Sequence, residues 1–390
     1  MENQAPTKIM VVDDEPQLQR LFLQRFRSNI RNEEFELSFA LSGVEALENL
    51  RQDAGIDIIL SDINMPEMDG ITFISKLDEI NPRLKTVMVS AYGNMKNIRS
   101  AMNHGAYDFV TKPIDFADLE ATIKKAIKEI ELQKLAALTK KKLEQIQKEL
   151  HAASEVQQSI LPKNFSIFPA EYPFDLYAEM IPAKEVGGDF YDFFMLDNEH
   201  LGLVIGDVSG KGMASALFMA ISRTLLKAVA HKGYPPAECL EQVNYILSQD
   251  NPTCMFVTLF YGVLDLSSGD LRYCNGGHNF PYLVHSKGTV SALGGSSNIA
   301  LGILEDAKFE SNTIRIEDGQ PLVLYTDGIT EAVNQQFEEF SEENLMAYLS
   351  GCINTPAREM IKELIREVNQ FASGVPQADD ITALVIRRMA

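Results

Sequence analysis

The sequence predicts two domains of different class. An α/β domain, a doubly wound five-stranded parallel sheet, is followed by a helical connector and then by an α+β domain, a layered β-sandwich flanked by helices. Three observations predict this. Short apolar runs alternate with amphipathic stretches as far as residue 118, a purely helical pattern without glycine fills Phe116–Leu161, and after Pro162 strand patterns come in runs with helices set between them. At 390 residues the chain also exceeds one ordinary core of roughly 150 residues, so a boundary is required. The expected division is residues 1–118, 119–161 and 162–390.

In the first domain Ile9–Val12, Phe35–Ala40, Ile56–Ser61, Thr86–Ser90 and Phe109–Val110 read as strands. Gln17–Arg27, Gly43–Gln52 and Met95–His104 read as helices between them, the rhythm of βαβ units. The connector carries apolar residues at Leu119, Ile123, Ala126 and Ile130 and again at Leu143, Ile146 and Leu150, which predicts a coiled coil and a homodimer through it. Its halves are out of heptad phase, with Lys140, Lys141 and Lys142 at the slip, so a hinge or a single exposed helix there is an equal expectation. In the second domain strands are expected at Phe174–Ile181, Leu201–Val208, Met255–Leu266, Leu271–Asn275, Tyr282–His285, Leu322–Thr326 and Ile381–Arg387. Helices are expected at Ala214–His231, Pro236–Ser248, Glu342–Leu349 and Pro356–Phe371.

Composition narrows the function. Hydrophobic residues make up 45% of the chain without a low-complexity tract, as in a soluble globular protein. The longest apolar stretch, Ala216–Ala230, is broken by Arg223 and Lys227, so no membrane span is expected, and the N-terminus lacks the pattern of a secretory signal, which predicts the cytoplasm. Cys239, Cys254, Cys274 and Cys352 form no CxxC pair, which predicts reduced thiols and no zinc site. The net charge of -20 divides as -7, +2 and -15 over the three segments. So acidic a third segment repels nucleic-acid phosphates and suits divalent cations, although most of its carboxylates need do no more than keep the chain in solution.

Asp13 and Asp14 end the first strand, Asp62 the third and Ser90 the fourth, while Lys112 follows the fifth. The carboxyl ends of parallel strands form the ligand crevice of such a sheet, so these distant residues converge. Three neighbouring carboxylates repel one another unless a divalent cation sits among them, and that cation shields Asp62 so that a phosphoryl group can approach it as nucleophile. Lys112 then pairs with the phosphoryl oxygens, the Ser90 hydroxyl bonds one of them, and Phe109 is the aromatic that moves with that bond. The stretches VDD, SDINMP, SAYG and TKP, in that order, resemble the CheY-like receiver of response regulators across about 118 residues. The resemblance implies Mg2+ at Asp13, Asp14 and Asp62 and phosphorylation of Asp62 by a histidine kinase or phosphotransfer protein.

Four acidic clusters mark the second domain: Gly187-Gly188-Asp189, Gly206-Asp207, Thr326-Asp327-Gly328 and Asp379-Asp380. Any single Asp beside Gly reads first as a turn. Taken together, oxygen ligands with glycine where backbone must approach closely describe Mg or Mn sites, and two such ions polarise water for a hydrolysis that needs no protein nucleophile. The stretches AASEVQQSILP, EVGGDFYDFF, LGLVIGDVSGKGMASALFMA, YCNGGHNFPYL, VLYTDGITEA and QADDITALVIR resemble the type 2C metal-dependent protein phosphatases (PPM), specifically their SpoIIE-like branch. The resemblance implies two Mn2+ or Mg2+, with Asp207 bridging both and the Val208 carbonyl on one of them. It places Asp327 and Asp379 on the other ion and Asp189 on a metal directly or through water, with Asp380 as second choice to Asp379. Asp207 and Asp327 are the catalytic pair, acting through metal-bound water. The basic residue that eukaryotic members place near their start for the phosphate has no counterpart in these stretches.

Three patterns compete with this reading. GDVSGKG at 206–212 is one residue short of a P-loop and has Gly where its Ser or Thr belongs. Cys352 to Arg358 has the spacing of a thiol phosphatase but no glycine in its loop, so Thr355-Pro356 reads as an N-cap and first-turn proline. His278 reads as a buried structural histidine in a turn. The expected function is a receiver-regulated protein serine/threonine phosphatase whose substrate is a phosphorylated anti-sigma-factor antagonist or a similar small switch protein. The rival is a pseudophosphatase adaptor that binds a partner under receiver control, which retention of all four acidic clusters disfavours. A DNA-binding regulator lacks a basic recognition helix here. The connector is expected to pass receiver state to the phosphatase by moving Val156 and Ile160 against the metal-bearing strands.

Overall fold

Five parallel strands ordered β2-β1-β3-β4-β5 form the sheet of the first of two units, Met1–Gln145 and Ile146–Ala390, in a computed structural model. The structure describes residues 5–389 apart from 54, 82–83, 92–94, 169–170, 250 and 296–297, so Tyr92 and Gly93 of the SAYG stretch lie outside the described residues. The first unit runs β1 (Thr7–Val12), α1 (Pro16–Arg25), α2 (Arg27–Arg31), β2 (Phe35–Ala40), α3 (Gly43–Gln52) and β3 (Ile58–Asp62). It continues with α4 (Gly70–Ile80), β4 (Lys85–Ala91), α5 (Met95–Asn103), β5 (Asp108–Lys112) and the start of α6 (Phe116–Ile160).

Alternation along β1 explains the two cores. Ile9 and Val11 turn to one face with Ile58, Leu60 and Val87, while Met10 and Val12 turn to the other with Ile59 and Met88. The second face is covered by α3 and α4, through Leu47, Leu50, Phe73 and Leu77. The first is covered by Phe22 and Phe26 together with Leu119, Ile123, Ala126 and Ile130 of α6. Those four residues, expected in a coiled-coil seam, are instead core, all but Ile130 without solvent exposure. The reason is energetic: fully burying such a side chain is worth roughly 1.5–3 kcal/mol for the larger ones, and this sheet face needs a second helix beside α1. Beyond Ile130 the apolar residues Leu132, Leu135, Leu138, Leu143 and Ile146 are more than half exposed, and these are what α6 offers to a partner helix.

The second unit packs two antiparallel five-stranded sheets face to face. One is ordered β13-β10-β9-β8-β7 and the other β12-β11-β14-β15-β6. In chain order the elements are β6 (Phe174–Ile181), β7 (Phe190–Met195), β8 (His200–Val208), α7 (Met213–Ala230), α8 (Pro236–Gln249), β9 (Val257–Asp265) and β10 (Asp270–Gly276). Then come β11 (Tyr282–Val284), β12 (Val290–Ala292), β13 (Asn312–Arg315), β14 (Pro321–Tyr325), α9 (Asp327–Thr330), α10 (Ser341–Ser350), α11 (Ala357–Phe371) and β15 (Ile381–Arg388). In β15, Leu384 and Ile386 enter the core between the sheets, whereas Ile381, Ala383 and Val385 pack under α10 and α11. Helices α7 and α8 cover the outer face of the other sheet with Met219, Leu226, Leu240 and Val243, so the layers run helix, sheet, sheet, helix.

The β7, β12 and β13 strands were not foreseen, because Phe190–Met195 reads as part of an acidic motif and the other two are only 3 and 4 residues long. Helix α7 forms where a helix was expected, at Ala214–His231. Its 18 residues are long and apolar enough, by length and composition, to cross a membrane. Yet one face lies in the core, and Arg223 and Lys227 reach the buried Asp192 carboxylate at 2.8 and 3.7 Å, an ion pair that fastens α7 to β7.

Candidate functional site

In the first unit the sheet brings Asp13, Asp14 and Asp62 together, with a carboxylate oxygen of each within 4.8 Å of the others. Asp13 and Asp62 are buried, and Lys112 Nζ donates to Asp62 Oδ2 at 2.6 Å and to Asp13 Oδ2 at 2.9 Å. Burial alone would lower the Lys112 ammonium, but its bonds to the two carboxylates outweigh that and hold it above the usual lysine range. Ser90 is buried with its hydroxyl 3.4 Å from the Ala91 carbonyl, and Phe109 stands 37% exposed. Three carboxylates against one ammonium leave room in the charge balance for a divalent cation, and their oxygen-only character fits Mg2+.

In the second unit four loops meet at one end of the facing sheets. Asp189 precedes β7, Asp207 ends β8 opposite Thr258 of β9, Asp327 follows β14, and Asp379 and Asp380 precede β15. Asp189 is 1% exposed, and its Oδ2 accepts hydrogen bonds from Thr326 Oγ1 at 2.7 Å and Thr382 Oγ1 at 2.6 Å. Those hydroxyls belong to the opposite sheet, so this carboxylate clasps the two sheets at the site. Burial, and after it the charge of Asp207, pushes the Asp189 carboxyl well above the usual range. Burial, then Asp327, pushes Asp207 up to about 7. Burial, then Asp379, raises Asp327. Carboxyls crowded out of water with too little countercharge would be relieved by a cation among them, and this oxygen donor set fits Mg2+ or Mn2+. The Val208 carbonyl lies at the same mouth, 3.4 Å from the Ser215 hydroxyl.

Asp380 does something the sequence did not show. Its Oδ1 accepts from the Ala183 amide at 2.8 Å and its Oδ2 from Gly188 at 2.6 Å and Asp189 at 3.4 Å, so its oxygens are spent on backbone. Asp379 keeps Oδ2 for an ion pair with Lys211 at 2.8 Å. The glycines follow from this crowding: a Cβ on Gly187 would collide with the Asp380 carboxylate, and one on Gly328 with the Asp380 carbonyl. Gln157 of α6 adds a second clasp, its amide donating to the Gly187 carbonyl at 2.6 Å while its oxygen accepts from the Gly187 amide at 3.0 Å. Gln157 is 6% exposed but Val156 is 62% exposed, so the helix residue that touches the Gly187 loop is Gln157 and not Val156. A glutamine on a helical stripe gives no sequence signal for such a bond.

His278 is buried and neutral. Burial lowers it to about 4, its Nε2 lies 3.1 Å from the Tyr325 carbonyl and its Nδ1 2.8 Å from the Thr258 hydroxyl, so it ties the two sheets as a structural group. Cys352 is buried with its thiol pushed up by that burial, the opposite of a nucleophilic cysteine. The cap of α11 is also not Thr355: Pro356 holds the cap position, and the Asp175 carboxylate accepts the Ala357 amide at 2.8 Å because proline and a preceding extended residue leave that amide without a local partner.

The raised carboxyls have a measurable consequence. A carboxyl whose folded value lies above its unfolded one contributes stability below the unfolded value, near 4, and loses it as pH climbs through the folded value, about 7 for Asp207. Without divalent cation, Asp207→Asn should therefore melt roughly 5 °C higher than wild type at pH 8 and show little difference at pH 4.5. Mn2+ should raise the wild-type melting temperature at pH 8 and leave the variant nearly unmoved. Calorimetry in EDTA and in Mn2+ checks both; a variant melting below wild type at pH 8 without cation would mean that Asp207 is not strained.

Residues 197–389 match the family described as Stage II sporulation protein E (SpoIIE), and residues 9–124 match the response regulator receiver domain. Protein IcfG of Synechocystis is 32% identical over 268 residues, 62% of this chain and 41% of its own length. Phosphoserine phosphatase RsbU of Bacillus subtilis is 28% identical over 63% of this chain and 71% of its own. The chain thus spans less than half of one relative and most of the other. Among solved structures, the SiaA-PP2C domain of Pseudomonas aeruginosa aligns with a TM-score of 0.55 at 22% identity, covering 63% of this chain and 98% of that one, a likeness of fold.

Proposed function

The chain joins a response regulator receiver domain to a SpoIIE-type phosphatase domain, and from that premise we propose a two-component regulator in which phosphorylation of Asp62 controls hydrolysis of phosphoserine or phosphothreonine on a partner protein. One observation carries the reading: Asp189, Asp207, Asp327 and Asp379 converge at one end of two sheets with three of their carboxyls forced upward by burial and mutual repulsion. Asp207, Asp327 and Asp379 hold two Mn2+ or Mg2+, with the Val208 carbonyl beside them. When bound, those ions supply Lewis acidity and polarised water at the phosphorus. Asp189, fixed by its two threonine hydroxyls, orients the site from below, and Asp380 keeps the Gly187–Asp189 loop in place. In the receiver, Asp13, Asp14 and Asp62 hold Mg2+, and Lys112 neutralises the incoming phosphoryl oxygens.

The upstream partner is a histidine kinase or phosphotransfer protein, and the substrate is a phosphorylated protein such as an anti-sigma-factor antagonist, its phosphoserine supported by the phosphoserine phosphatase RsbU among the relatives. The exposed apolar residues Leu132 to Ile146 of α6 support pairing of two copies through that helix. Hydrolysis of a phosphoserine peptide tests the enzyme: it should require Mn2+ or Mg2+ and fall silent in EDTA. In a Cys254→Ser background that removes the one exposed thiol among the described residues, it should survive iodoacetamide, since burial pushes the Cys239 and Cys274 thiols up to about 12 and Cys352 is also buried. Inactivation by alkylation, or full turnover in EDTA, would point to a different chemistry.

A further inference from the structure

A phosphate monoester carries up to two negative charges, and the Asp207, Asp327, Asp379 and Glu331 carboxylates act on one another at the site it must approach. Something on the protein has to offset that repulsion besides the ions. Lys211 is placed to do so. It follows Asp207 by four residues, and its ammonium reaches Asp379 Oδ2 at 2.8 Å and the Ala378 carbonyl at 2.5 Å. Its charge also acts on Asp327 and Glu331. The side chain is 43% exposed and stands between Gly210 and Gly212, whose φ angles of 85° and 87° are the left-handed values glycine adopts freely. Nothing lies within 4 Å of where a Cβ would stand on either glycine, so the loop that carries Lys211 is not packed against a neighbour there. Lys211 also lines a cavity of about 420 Å³ with Gly328, Glu331, Gln377 and Asp379, so the cavity reaches the acidic site at Asp379.

We propose that Lys211 is the anchor for the substrate phosphate, holding its oxygens over the metal-site carboxylates while the adjoining cavity takes the phosphorylated residue. This rests on the phosphatase reading above and gives Lys211, within the GDVSGKG stretch, the phosphate-binding task that eukaryotic members assign to a basic residue near their start. A divalent cation held at Asp379 would compete with the Lys211 ammonium for that carboxylate, which would leave the ammonium its bond to the Ala378 carbonyl and two N–H groups for an anion. A lysine suits the task as a mobile point charge on a long stem, where a fixed guanidinium fork would demand one geometry.

The test uses the full chain and inorganic phosphate as probe, by titration calorimetry at saturating Mn2+, alongside the affinity for Mn2+ itself. In Lys211→Ala phosphate binding should weaken by about 10-fold or more, the loss of one charge-assisted hydrogen bond, and KM for p-nitrophenyl phosphate should rise by a similar factor. Mn2+ affinity should stay level or tighten, because a competitor for Asp379 has gone. Lys211→Arg, which keeps the charge, should restore most of the phosphate affinity. Unchanged phosphate affinity in Lys211→Ala would overturn the assignment and leave Lys211 as a counter-ion of Asp379. Equal losses of Mn2+ and phosphate affinity in both variants would overturn it too, by making Lys211 a support of the metal site. Wild type that neither binds phosphate nor hydrolyses a phosphoester with Mn2+ would instead sink the phosphatase reading, which keeps the two failures apart.

Discussion

Asp207→Ala should lower Mn2+-dependent hydrolysis of a phosphoserine peptide by about 1000-fold or more while Asp62 is still phosphorylated at the wild-type rate. The size follows from what the residue is asked to do. Lewis-acid stabilisation of the transition state is worth several kcal/mol, and about 4 kcal/mol is already 1000-fold in rate. Asp207 stands between Asp189 and Asp327, each of which acts on it or is acted on by it, so it is the carboxylate through which the site's charges are shared. On the proposed reading, removing it would take a ligand from the centre, and neither Asp189, held by two threonine hydroxyls, nor Asp380, held by backbone amides, is placed to substitute. Because the alanine relieves a crowded carboxylate, the variant should fold at least as well as wild type in EDTA. Peptide turnover and melting temperature measured together decide it: hydrolysis within tenfold of wild type would move the reaction elsewhere.

The second large effect concerns the receiver. Incubated with a small phosphoryl donor and Mg2+, wild type should form a hydroxylamine-labile acyl phosphate and its phosphatase rate should change, whereas Asp62→Asn should form none and show no change. Asp13 and Asp62 are both buried and both meet the Lys112 ammonium, at 2.9 and 2.6 Å, and by the receiver resemblance it is an Asp62 oxygen that would form the new P–O bond as the donor's bond to phosphorus breaks. The same helix that is bound into the first unit's core by Leu119 to Ile130 ends at the Gln157 clasp on the Gly187 loop. One residue inserted near Lys141 rotates one half of that helix by about 100° against the other, and it should abolish the rate response while phosphorylation of Asp62 proceeds. Driving such a two-state element fully across takes on the order of 5 kcal/mol, within reach of a few buried apolar side chains. A response that survives the insertion would mean that the signal does not run along α6.

Both fold classes were legible in the sequence because each rests on periodicity. The β1 to β5 runs and the long strands of the sandwich are apolar for their whole length or at alternate positions, and the structure places them within a few residues of expectation. The acidic residues were legible because Asp beside Gly at a strand end is chemically conspicuous. What was hidden is the partner side of each interaction. Thr326 and Thr382 look like ordinary β-branched residues of strands, Gln157 like a helix surface residue, and Leu119 to Ile130 fit a heptad seam as well as a sheet-covering face, since both ask only for apolar residues three and four apart. Which of these meanings holds depends on a surface that is distant in sequence.

The amide bonds at Asp380 bear on how an inactive form should be chosen for capturing the phosphorylated partner. Asp380 sits in the conspicuous DD pair and invites replacement as a way to disarm the enzyme. Its carboxylate, however, is the keystone of the Ala183 and Gly188 turns, and a dead Asp380 variant would report a collapsed loop as though it were a missing ligand. A bait built at Asp327 keeps that masonry standing, whereas Asp379 carries the Asp380 amide and the Lys211 ammonium, so a protein retained by the Asp327 variant would be recognising the native mouth of the site.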